Sequence, residues 1–569
     1  MEYSGARILI EALVEQGVDT VFGYPGGAVL FIYDELYKHQ DRIRHILVSH
    51  EQHAAHAADG YARSTGKTGV CIATSGPGAT NLVTGIATAY MDSVPLVAVT
   101  GNVATNLLGK DSFQEVDIAG ITMPVVKHNW IVKDPADLAE VVREAFIVAR
   151  SGRPGPVLID IPKDVTSSSA EWKPLDPSSA ALDARSRRLS ARASDKTLNE
   201  ASLQSAARLI TESKHPFIYA GGGVVTADAC EELKAFAERI NAPVALTLMA
   251  LGALDHDHQL YTGMIGMHGT VASNKAVQKS DMLITIGARF SDRVTSSTDI
   301  FARNAKVLQF DIDPAEINKN VKTDLEITGN IRLILQRMLE ILPANYSADS
   351  SWHEEIARWK AEIPKAYHRK TKLHPRFIVE ETGKRLGAEA VIVTDVGQHQ
   401  MWAAQFYPHR RPRAFLSSGG LGTMGFGLGA ALGAKIARPD CPIVLFTGDG
   451  SFRMNCGELA TLAAYKLPVL VIILNNRTLG MVRQWQRLFY DQRYSETTLE
   501  RPPDFVKLAG AYGIPAYRAK DEKSFASALD AALASTLSGC AAIIDAAIDI
   551  DELVLPMVPG GKPIDEPLL

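Results

Sequence analysis

The segment "CPIVLFTGDGSFRMNCGELATLAAYKLPVLVIILNN", residues 441–476, decides the fold of this chain. It contains two runs that are apolar throughout, with a helical stretch between them. Continuous apolar runs are typical of strands buried on both faces, as in parallel sheets covered by helices. Because the carboxyl ends of parallel strands meet at one edge of a sheet, the pattern predicts that Asp449 and the pair Asn475–Asn476 lie close together at that edge.

Similar runs alternate with helical patterns along the chain, which favours an α/β fold throughout. They are "GVCIAT" (69–74), "VPLVAVT" (94–100), "GPVLIDI" (155–161), "PFIYAGGG" (216–223), "DMLITIG" (281–287), "KVLQFDI" (306–312) and "AVIVTDV" (390–396). They stop over residues 166–202, rich in Ser, Ala and Asp, and again around 340–375. We predict three doubly wound parallel-sheet α/β domains at residues 1–165, 190–340 and 370–550, with a linker at 166–189 and a tail at 551–569.

Composition narrows the class of protein. The length of 569 residues fits three domains, and the net charge of −5 without a long basic run argues against nucleic acid as a partner. The five cysteines are scattered without a C-x-x-C pair, which favours a reducing compartment over a disulfide frame. Neither a signal peptide nor a convincing membrane span is visible, so we expect a cytoplasmic protein with no membrane partner.

The predicted sheet edge at Asp449 has the chemistry of a metal site. A carboxylate, an amide and a nearby main-chain carbonyl form an oxygen site of the kind that Mg²⁺ takes, with phosphate oxygens completing the coordination. A competing pattern is "GLGTMG" at 420–425, which fits the dinucleotide fingerprint G-x-G-x-x-G and would indicate an NAD-dependent dehydrogenase. Only "RAFLSS" precedes it where a clear strand should stand.

A second polar cluster lies in "HEQHAAHAADGYAR", residues 50–63. His50, His53 and His56 are three residues apart and would share one face of a helix. The zinc-protease pattern H-E-x-x-H fails because Ala54 stands at its last position. On the residues alone, either a histidine metal cluster or a functional Glu51 fits this stretch.

Together the motifs resemble one family. GDG at 448–450 followed by the Asn pair resembles the thiamine diphosphate motif, and "HEQHAAHAADGYAR" with "SGPGATN" (75–81) resembles the segment that carries that superfamily's glutamate. Further ordered strings resemble the catalytic subunit of acetohydroxyacid synthase: "VFGYPGGAV", "GKDSFQE", "DIPKDV", "GLGTMGFGLGAALGA" and "LGMVRQWQRLFYDQRYS". The resemblance covers nearly the whole chain.

The resemblance implies three cofactors and their residues. Glu51 would hydrogen-bond the aminopyrimidine of thiamine diphosphate, Met424 would enforce the bent shape of that cofactor, and Asp449, Asn476 and the carbonyl of Thr478 would bind Mg²⁺. The other thiamine diphosphate residues would be Gly26, Ser75, Asn81, Val396, Gly397, Gln398, His399, Gly422, Gly450 and Ser451. FAD would contact Arg153, Gly221, Gly222, Met267, His268, Gly287, Arg289, Arg293 and Asp311. Catalytic residues beside Glu51 would be Phe113, Gln114 and Lys163, which line the substrate approach opposite Met481, Val482 and Trp485.

These residue types suit the chemistry that the resemblance implies. A 2-keto acid loses CO₂ only if the resulting carbanion is delocalised, and a thiazolium ring supplies that electron sink. A carboxyl group beside the aminopyrimidine can exchange a proton with it. We therefore expect Glu51 to act in proton transfer and the histidines to be only its neighbours. We therefore expect an acetolactate synthase that converts pyruvate, alone or with 2-oxobutanoate, into the precursors of branched-chain amino acids, with FAD in a structural role.

Other enzymes remain as alternatives, and three positions depart from the pattern of the family. A pyruvate oxidase or another thiamine-dependent decarboxylase would share the fold. Ser291 stands where the family usually has an acid, "GN" at 329–330 replaces a usual "GD", and "NVATN" at 102–106 lacks the common proline and arginine. The resemblance pairs the first unit of one chain with the third of another, which implies a homodimer or higher homo-oligomer with sites at the interface. It also allows for a small regulatory subunit.

Overall fold

The structure is a computed structural model that describes residues 1–175, 198–344, 346, 349–362, 371–501 and 503–569. Three six-stranded sheets and one two-stranded sheet organise these residues. Every strand pairing within the six-stranded sheets is parallel, and helices lie between successive strands. The predicted fold class of three doubly wound parallel sheets is confirmed.

The strands are, in chain order, β1 (Glu2–Ser4), β2 (Thr20–Tyr24), β3 (Arg44–Leu47), β4 (Gly69–Ala73), β5 (Leu96–Asn102), β6 (Asn129–Ile131), β7 (Pro156–Pro162), β8 (Ser169–Glu171), β9 (Pro216–Ala220), β10 (Val244–Leu246), β11 (Tyr261–Met264), β12 (Met282–Ile286), β13 (Lys306–Asp311), β14 (Leu325–Thr328), β15 (Val391–Thr394), β16 (Phe415–Leu416), β17 (Ile443–Gly448), β18 (Val469–Asn475), β19 (Ala516–Ala519) and β20 (Ala542–Ala547). Each apolar run quoted above forms a strand, because its side chains are buried on both faces of a sheet.

The α-helices are Gly5–Glu15, Leu30–Lys38, Glu51–Thr65, Pro77–Asn81, Val83–Met91, Ile118–Thr122, Leu138–Arg150, Lys163–Ser167, Glu200–Glu212, Gly222–Thr226, Cys230–Arg239, Val271–Lys279, Asp292–Thr295, Ile331–Ile341, Ser350–Lys360, Pro375–Leu386, Gln398–Phe406, Gly427–Ala437, Asp449–Asn455, Leu459–Ala464, Gly480–Phe489, Phe505–Ala511 and Glu522–Leu537. Across the residues described, no helix combines the length and the apolar character that crossing a membrane requires.

The first and third sheets have the same topology. The N-terminal sheet has the order β3-β2-β4-β5-β7-β6 and the C-terminal sheet the order β16-β15-β17-β18-β20-β19. Counted within each sheet, both read 2-1-3-4-6-5. The central sheet has the order β11-β10-β9-β12-β13-β14, which reads 3-2-1-4-5-6 and is the order of a dinucleotide-binding sheet. Its strand order reverses between β9 and β12.

Two helices join the N-terminal and C-terminal units at backbone contact. A Cβ on Gly433 would lie 1.9 Å from the carbonyl oxygen of Ala57, and a Cβ on Gly60 would lie 2.2 Å from that of Ala430. Only glycine permits this approach between the Glu51–Thr65 and Gly427–Ala437 helices. Buried side chains of both units therefore form one continuous hydrophobic core.

Segments outside the predicted domains also have structure. β1 and β8 pair antiparallel, and the Gly5–Glu15 helix follows β1 directly. The start of the predicted linker is thus built into the N-terminal unit, and residues 176–189 lie outside the described residues. The tail packs on the central unit, where Val558 and Ile564 are buried and the Val558 N–H donates to the Met267 carbonyl at 2.8 Å.

Candidate active site

The sheet edge at β17 and β18 carries an oxygen-rich site. Gly448 pairs with Leu474 in the parallel register, which places Asp449 and Asn476 beside each other just beyond the two strands. Both carboxylate oxygens of Asp449 are buried and have no hydrogen-bond partner within the described part of the chain. Burial raises the pKa of Asp449 to about 7. Because a buried acceptor without a partner costs free energy, this carboxylate fits a cation better than it fits an empty core.

The neighbouring amide is held in a defined orientation. The Asn476 side-chain oxygen accepts from the Thr478 N–H at 3.2 Å, and its nitrogen donates to Gln398 at 3.2 Å. Gln398 in turn donates to the Gln484 side chain at 3.0 Å and to the Glu552 carbonyl at 2.8 Å. Asp449, Asn476 and Thr478 all line one cavity, and their carboxylate, amide and main-chain carbonyl groups are the types of oxygen donor that Mg²⁺ prefers.

Next to this site lies a buried histidine with an unpaired ring nitrogen. The Nε2 atom of His399 has no partner among the residues described, and burial lowers the pKa of His399 to about 3, so the ring is neutral. Ser451 donates to the Val396 carbonyl at 3.0 Å and so joins the Asp449–Asn455 helix to the segment "VGQH" at residues 396–399. The predicted residues of the C-terminal unit are therefore brought together.

A buried carboxylate missed by the sequence analysis shapes the glycine-rich segment. Asp395 directly follows β15 and accepts from the N–H groups of Gly425 at 3.0 Å and Gly427 at 2.8 Å, and from Thr447 at 2.8 Å. These bonds hold the segment that carries Gly422 and Met424. An acid right after the apolar run "AVIVT" was the available signal, since it matches the position of Asp449 after β17.

The N-terminal unit holds a second cluster around Glu51. Glu51 begins its helix, and the Asn81 amide donates to its Oε2 atom at 2.9 Å. A Cβ on Gly78 would lie 3.2 Å from Oε1, and a Cβ on Gly26 would collide with Thr74, so both glycines keep the cluster open. Buried Ser75 follows Thr74 at the end of β4. The structure therefore joins Asn81 to Glu51 and places Gly26 and Ser75 at the same sheet edge.

The three histidines beside Glu51 make structural contacts. His50 caps the helix by accepting from the Gln52 N–H at 3.1 Å, His53 bonds to buried Glu458 at 2.9 Å, and fully buried His56 contacts Gln52 at 3.3 Å. No group of three or more His, Cys, Asp or Glu side chains suited to a metal occurs in the described ranges. The alternative of a histidine metal cluster is thus wrong for these residues.

The remaining predicted residues of this unit surround that edge. Phe113 is 88% exposed, and the Gln114 backbone packs on Gly76, where a Cβ would lie 2.8 Å from the Gln114 carbonyl oxygen. Lys163 begins a helix directly after β7.

A cavity of about 1380 Å³ is lined by one set of the predicted residues and not by the other. The predicted FAD residues all line it, as do Met481, Val482 and Trp485 and the thiamine diphosphate and Mg²⁺ residues of the C-terminal unit. Its lining contains none of the thiamine diphosphate and catalytic residues predicted in the N-terminal unit: Gly26, Glu51, Ser75, Asn81, Phe113, Gln114 and Lys163. The predicted residues of one chain therefore form two separate sets, which we call the N-terminal and the C-terminal half-site.

Known proteins share this organisation. The chain matches the N-terminal TPP binding domain of thiamine pyrophosphate enzymes over residues 3–121, their central domain over 203–338 and their C-terminal TPP binding domain over 395–545. It is 48% identical over 565 residues to the acetolactate synthase large subunit of Parasynechococcus marenigrum, covering 98% of this chain and 90% of that protein.

The large subunit of Pyropia yezoensis is 46% identical, with 99% of this chain and 94% of that protein covered. That of Corynebacterium glutamicum is 47% identical, with 98% and 89% covered. The chain belongs to the acetolactate synthase large-subunit family. The resemblance drawn from the motifs is confirmed.

In this acetolactate synthase family member, the central unit lines part of the cavity at the point where its strand order reverses. A Cβ on Gly221, after β9, would lie 2.4 Å from the carbonyl oxygen of Gly287, after β12, and Gly287 has a φ of 56°. The two glycines therefore allow the carboxyl ends of β9 and β12 to approach each other at the position where doubly wound sheets bind nucleotides. Burial raises the pKa of Asp311 to about 6 and lowers the pKa of His268 to about 4 in the same cavity.

The departures from the family pattern have local explanations. Ser291 and Asn330 line the cavity, and both also cap helices, since Ser291 accepts from the Arg293 N–H at 3.3 Å and Asn330 from the Arg332 N–H at 2.9 Å. In the "NVATN" stretch, the Thr105 N–H donates to Asp164 at 2.9 Å. Ser and Asn are good helix caps, so these changes keep the backbone of the acetolactate synthase fold in place.

Proposed function

We propose that the chain is the catalytic subunit of an acetolactate synthase. It decarboxylates pyruvate and joins the remaining two-carbon unit to a second 2-keto acid, giving 2-acetolactate from pyruvate and 2-aceto-2-hydroxybutanoate from 2-oxobutanoate. These products begin branched-chain amino-acid synthesis. The observation that carries the proposal is the buried carboxylate of Asp449 beside Asn476, which has no partner among the described residues and lies in the matched TPP binding domain.

The C-terminal half-site would hold Mg²⁺ and the diphosphate of thiamine diphosphate. Asp449, Asn476 and the Thr478 carbonyl supply the oxygen ligands, and neutral His399 and Ser451 offer polar atoms beside them. When bound, the cofactor supplies an electron sink for the carbanion left by decarboxylation. Met424, held through Asp395, would support its bent shape.

Glu51 would hold and move a proton next to the aminopyrimidine. Asn81 fixes the Oε2 atom of Glu51 by donating to it, and the missing side chain of Gly78 leaves space beside Oε1. A carboxyl group oriented in this way can act as a general acid or base at one oxygen, which contributes roughly 10²–10⁴-fold to a rate.

A second copy of the chain would complete each site. Glu51 does not line the cavity that contains Asp449. The N-terminal unit also exposes large apolar side chains, with Phe113 at 88%, Met123 at 68% and Leu30 at 56% exposure. Exposed apolar surface of this kind favours an interface, and pairing Glu51 of one chain with Asp449 of another gives a homodimer or higher homo-oligomer with two-fold related sites.

The central half of the cavity would hold FAD in a structural role. Gly221, Gly222 and Gly287 would receive the nucleotide, with Arg153, Arg289 and Arg293 available for its phosphates. On the opposite side, Met481, Val482 and Trp485 would form the wall of the acceptor pocket. Trp485 is half-buried and packs on Phe489 at 5.2 Å between ring centroids, a position from which it could favour a larger acceptor. A small regulatory subunit and a cytoplasmic location stay predictions.

Product analysis tests this function. Purified protein with pyruvate, thiamine diphosphate, Mg²⁺ and FAD should form 2-acetolactate, and added 2-oxobutanoate should divert product to 2-aceto-2-hydroxybutanoate. Omission of thiamine diphosphate should abolish turnover, and NAD should neither bind nor matter. Release of acetaldehyde as the main product would indicate a decarboxylase, and stoichiometric oxygen consumption would indicate an oxidase. Either result would overturn the proposal.

A further inference from the structure

The turn formed by Met91, Asp92 and Ser93 lies where the three units of the chain meet. It follows the Val83–Met91 helix, belongs to the N-terminal unit and lines the large cavity together with residues of the central and C-terminal units. None of the sequence motifs described above includes these three residues. Its contacts run in two directions, one toward each half of the cavity.

Toward the part of the cavity proposed to bind FAD, here called the flavin half, arginine side chains hold the turn on both sides of Asp92. The Arg289 guanidinium donates to the Met91 carbonyl at 2.9 Å, and the Arg153 Nε–H donates to the Ser93 hydroxyl at 2.8 Å. Both arginines belong to the proposed FAD site. Any shift of these arginines on flavin binding is therefore transmitted to the residues immediately before and after Asp92.

Toward the part of the cavity proposed to bind thiamine diphosphate, here called the thiamine half, Asp92 holds the glycine-rich segment at residues 419–425. Its Oδ1 atom accepts from the Gly420 N–H at 2.7 Å and its Oδ2 atom from the Gly419 N–H at 3.0 Å. Two residues further along is Gly422, followed by Met424, both proposed to contact thiamine diphosphate. Because each carboxylate oxygen accepts one of these bonds, Asp92 restrains the path of this segment.

The Asp92 carboxylate is itself buried and paired. Its side chain is fully buried and lies 2.9 Å from the guanidinium of Arg63, which also donates to the Ser417 carbonyl at 2.9 Å. Arg63 has a second acidic partner, Asp59, on its own helix. The contacts to Gly419 and Gly420 therefore belong to Asp92, whereas the neutralisation of Arg63 is shared by two carboxylates.

We propose that Asp92 is a positioning residue that couples the flavin half of the cavity to the thiamine diphosphate half. This inference rests on the proposed function. FAD bound against Arg153 and Arg289 stiffens the turn, and Asp92 then holds Gly419 and Gly420 in the arrangement that receives thiamine diphosphate. The flavin thus supports the reaction without a redox step. Because coupling between two binding sites is reciprocal, thiamine diphosphate must in turn tighten FAD.

The test measures binding to the full-length chain. FAD affinity is determined from flavin fluorescence with and without saturating thiamine diphosphate and MgCl₂, and thiamine diphosphate affinity is determined by calorimetry with and without FAD. In the wild-type chain, each ligand should tighten the other by about 5–150-fold, the usual range of such coupling. In Asp92→Asn this factor should fall to within about twofold of unity, because the amide keeps the volume but offers one acceptor atom instead of two.

Asp59→Asn is the matched control. It removes the same charge from the same buried arginine but leaves both glycine contacts in place, so the coupling factor should stay near the wild-type value. Ser93→Ala provides a second test on a half-buried residue whose loss should not prevent folding. It removes the Arg153 contact, so the factor should fall several-fold while thiamine diphosphate affinity without FAD stays unchanged.

The outcomes separate this inference from the function on which it rests. Binding of both ligands to the wild-type chain without mutual dependence would overturn the coupling alone. Wild-type coupling in Asp92→Asn, or equal loss in Asp59→Asn and Asp92→Asn, would remove Asp92 from the explanation. Failure of the wild-type chain to bind FAD at all would instead refute the proposed flavin site.

Discussion

Two inactive variants of this chain should restore activity to each other when they are mixed. Glu51→Gln removes the proton-transferring carboxyl of one half-site, and we expect roughly 10²–10⁴-fold lower turnover from it alone. Asp449→Ala removes the carboxylate whose two oxygens are buried without a partner in the described chain. The two residues lie on different half-sites, because Glu51 is absent from the lining of the cavity that contains Asp449.

The expected recovery follows from this division. In the proposed assembly, each site takes Glu51 from one chain and Asp449 from another. In an equimolar, fully exchanged mixture, about half of the chains in each role are intact, so about a quarter of the sites have both residues. This fraction does not depend on whether the assembly is a dimer or larger. Recovery near a quarter of wild-type turnover is therefore expected.

The assay is the rate of 2-acetolactate formation at saturating cofactors after incubation of the two variants. Subunit exchange is checked with differently tagged chains and pull-down, and mixing each variant with wild-type chain measures any effect of one defective site on the other. Confirmed exchange without recovered turnover would refute the shared site, provided that the wild-type mixtures keep their expected activity. Each site would then lie within a single chain.

Other substitutions test separate parts of the structure. Asp449→Ala should abolish Mg²⁺-dependent binding of thiamine diphosphate, and unchanged affinity by calorimetry would exclude the assigned metal site. Trp485→Leu should lower the preference for 2-oxobutanoate over pyruvate, expressed as the ratio of kcat/KM values, by about tenfold, whereas Phe489→Leu, which alters its neighbour outside the cavity lining, should change the ratio little. Gly433→Ala forces a Cβ to 1.9 Å from a backbone oxygen and should destabilise the fold by about 1–3 kcal/mol, while Gly510→Ala, with open space around its Cβ position, should be neutral or slightly stabilising. Burial lowers the pKa of His409 from 6.5 to about 3, so its neutral ring contributes stability above pH 6.5 that is lost as the pH falls. Urea titrations at pH 7 and pH 5 measure how much unfolding free energy the protein loses over this range. In His409→Gln this loss should be about 2 kcal/mol smaller than in wild type.

The sequence by itself determined the strands and the chemistry at their ends. Runs such as "PIVLFTG" are apolar at every position, and such runs are buried on both faces of a parallel sheet whatever their neighbours are. The residue after each run therefore lies at the carboxyl edge, which places Asp449 and Asn476 together before any tertiary contact is known. The choice of Glu51 over the three histidines came from the family motif, because spacing alone left both readings open.

Tertiary structure decided which edges face each other. Local periodicity carries no information about strand order, so the 2-1-3-4-6-5 and 3-2-1-4-5-6 arrangements and the pairing of β1 with β8 emerge only from long-range packing. For the same reason no local sequence pattern indicates a role for Asp92, whose partners Gly419 and Gly420 are more than 300 residues away along the chain. The backbone contact between the two glycine-bearing helices Glu51–Thr65 and Gly427–Ala437 likewise joins segments that lie far apart along the chain. That contact sets the relative orientation of two units that the sequence could only describe one at a time.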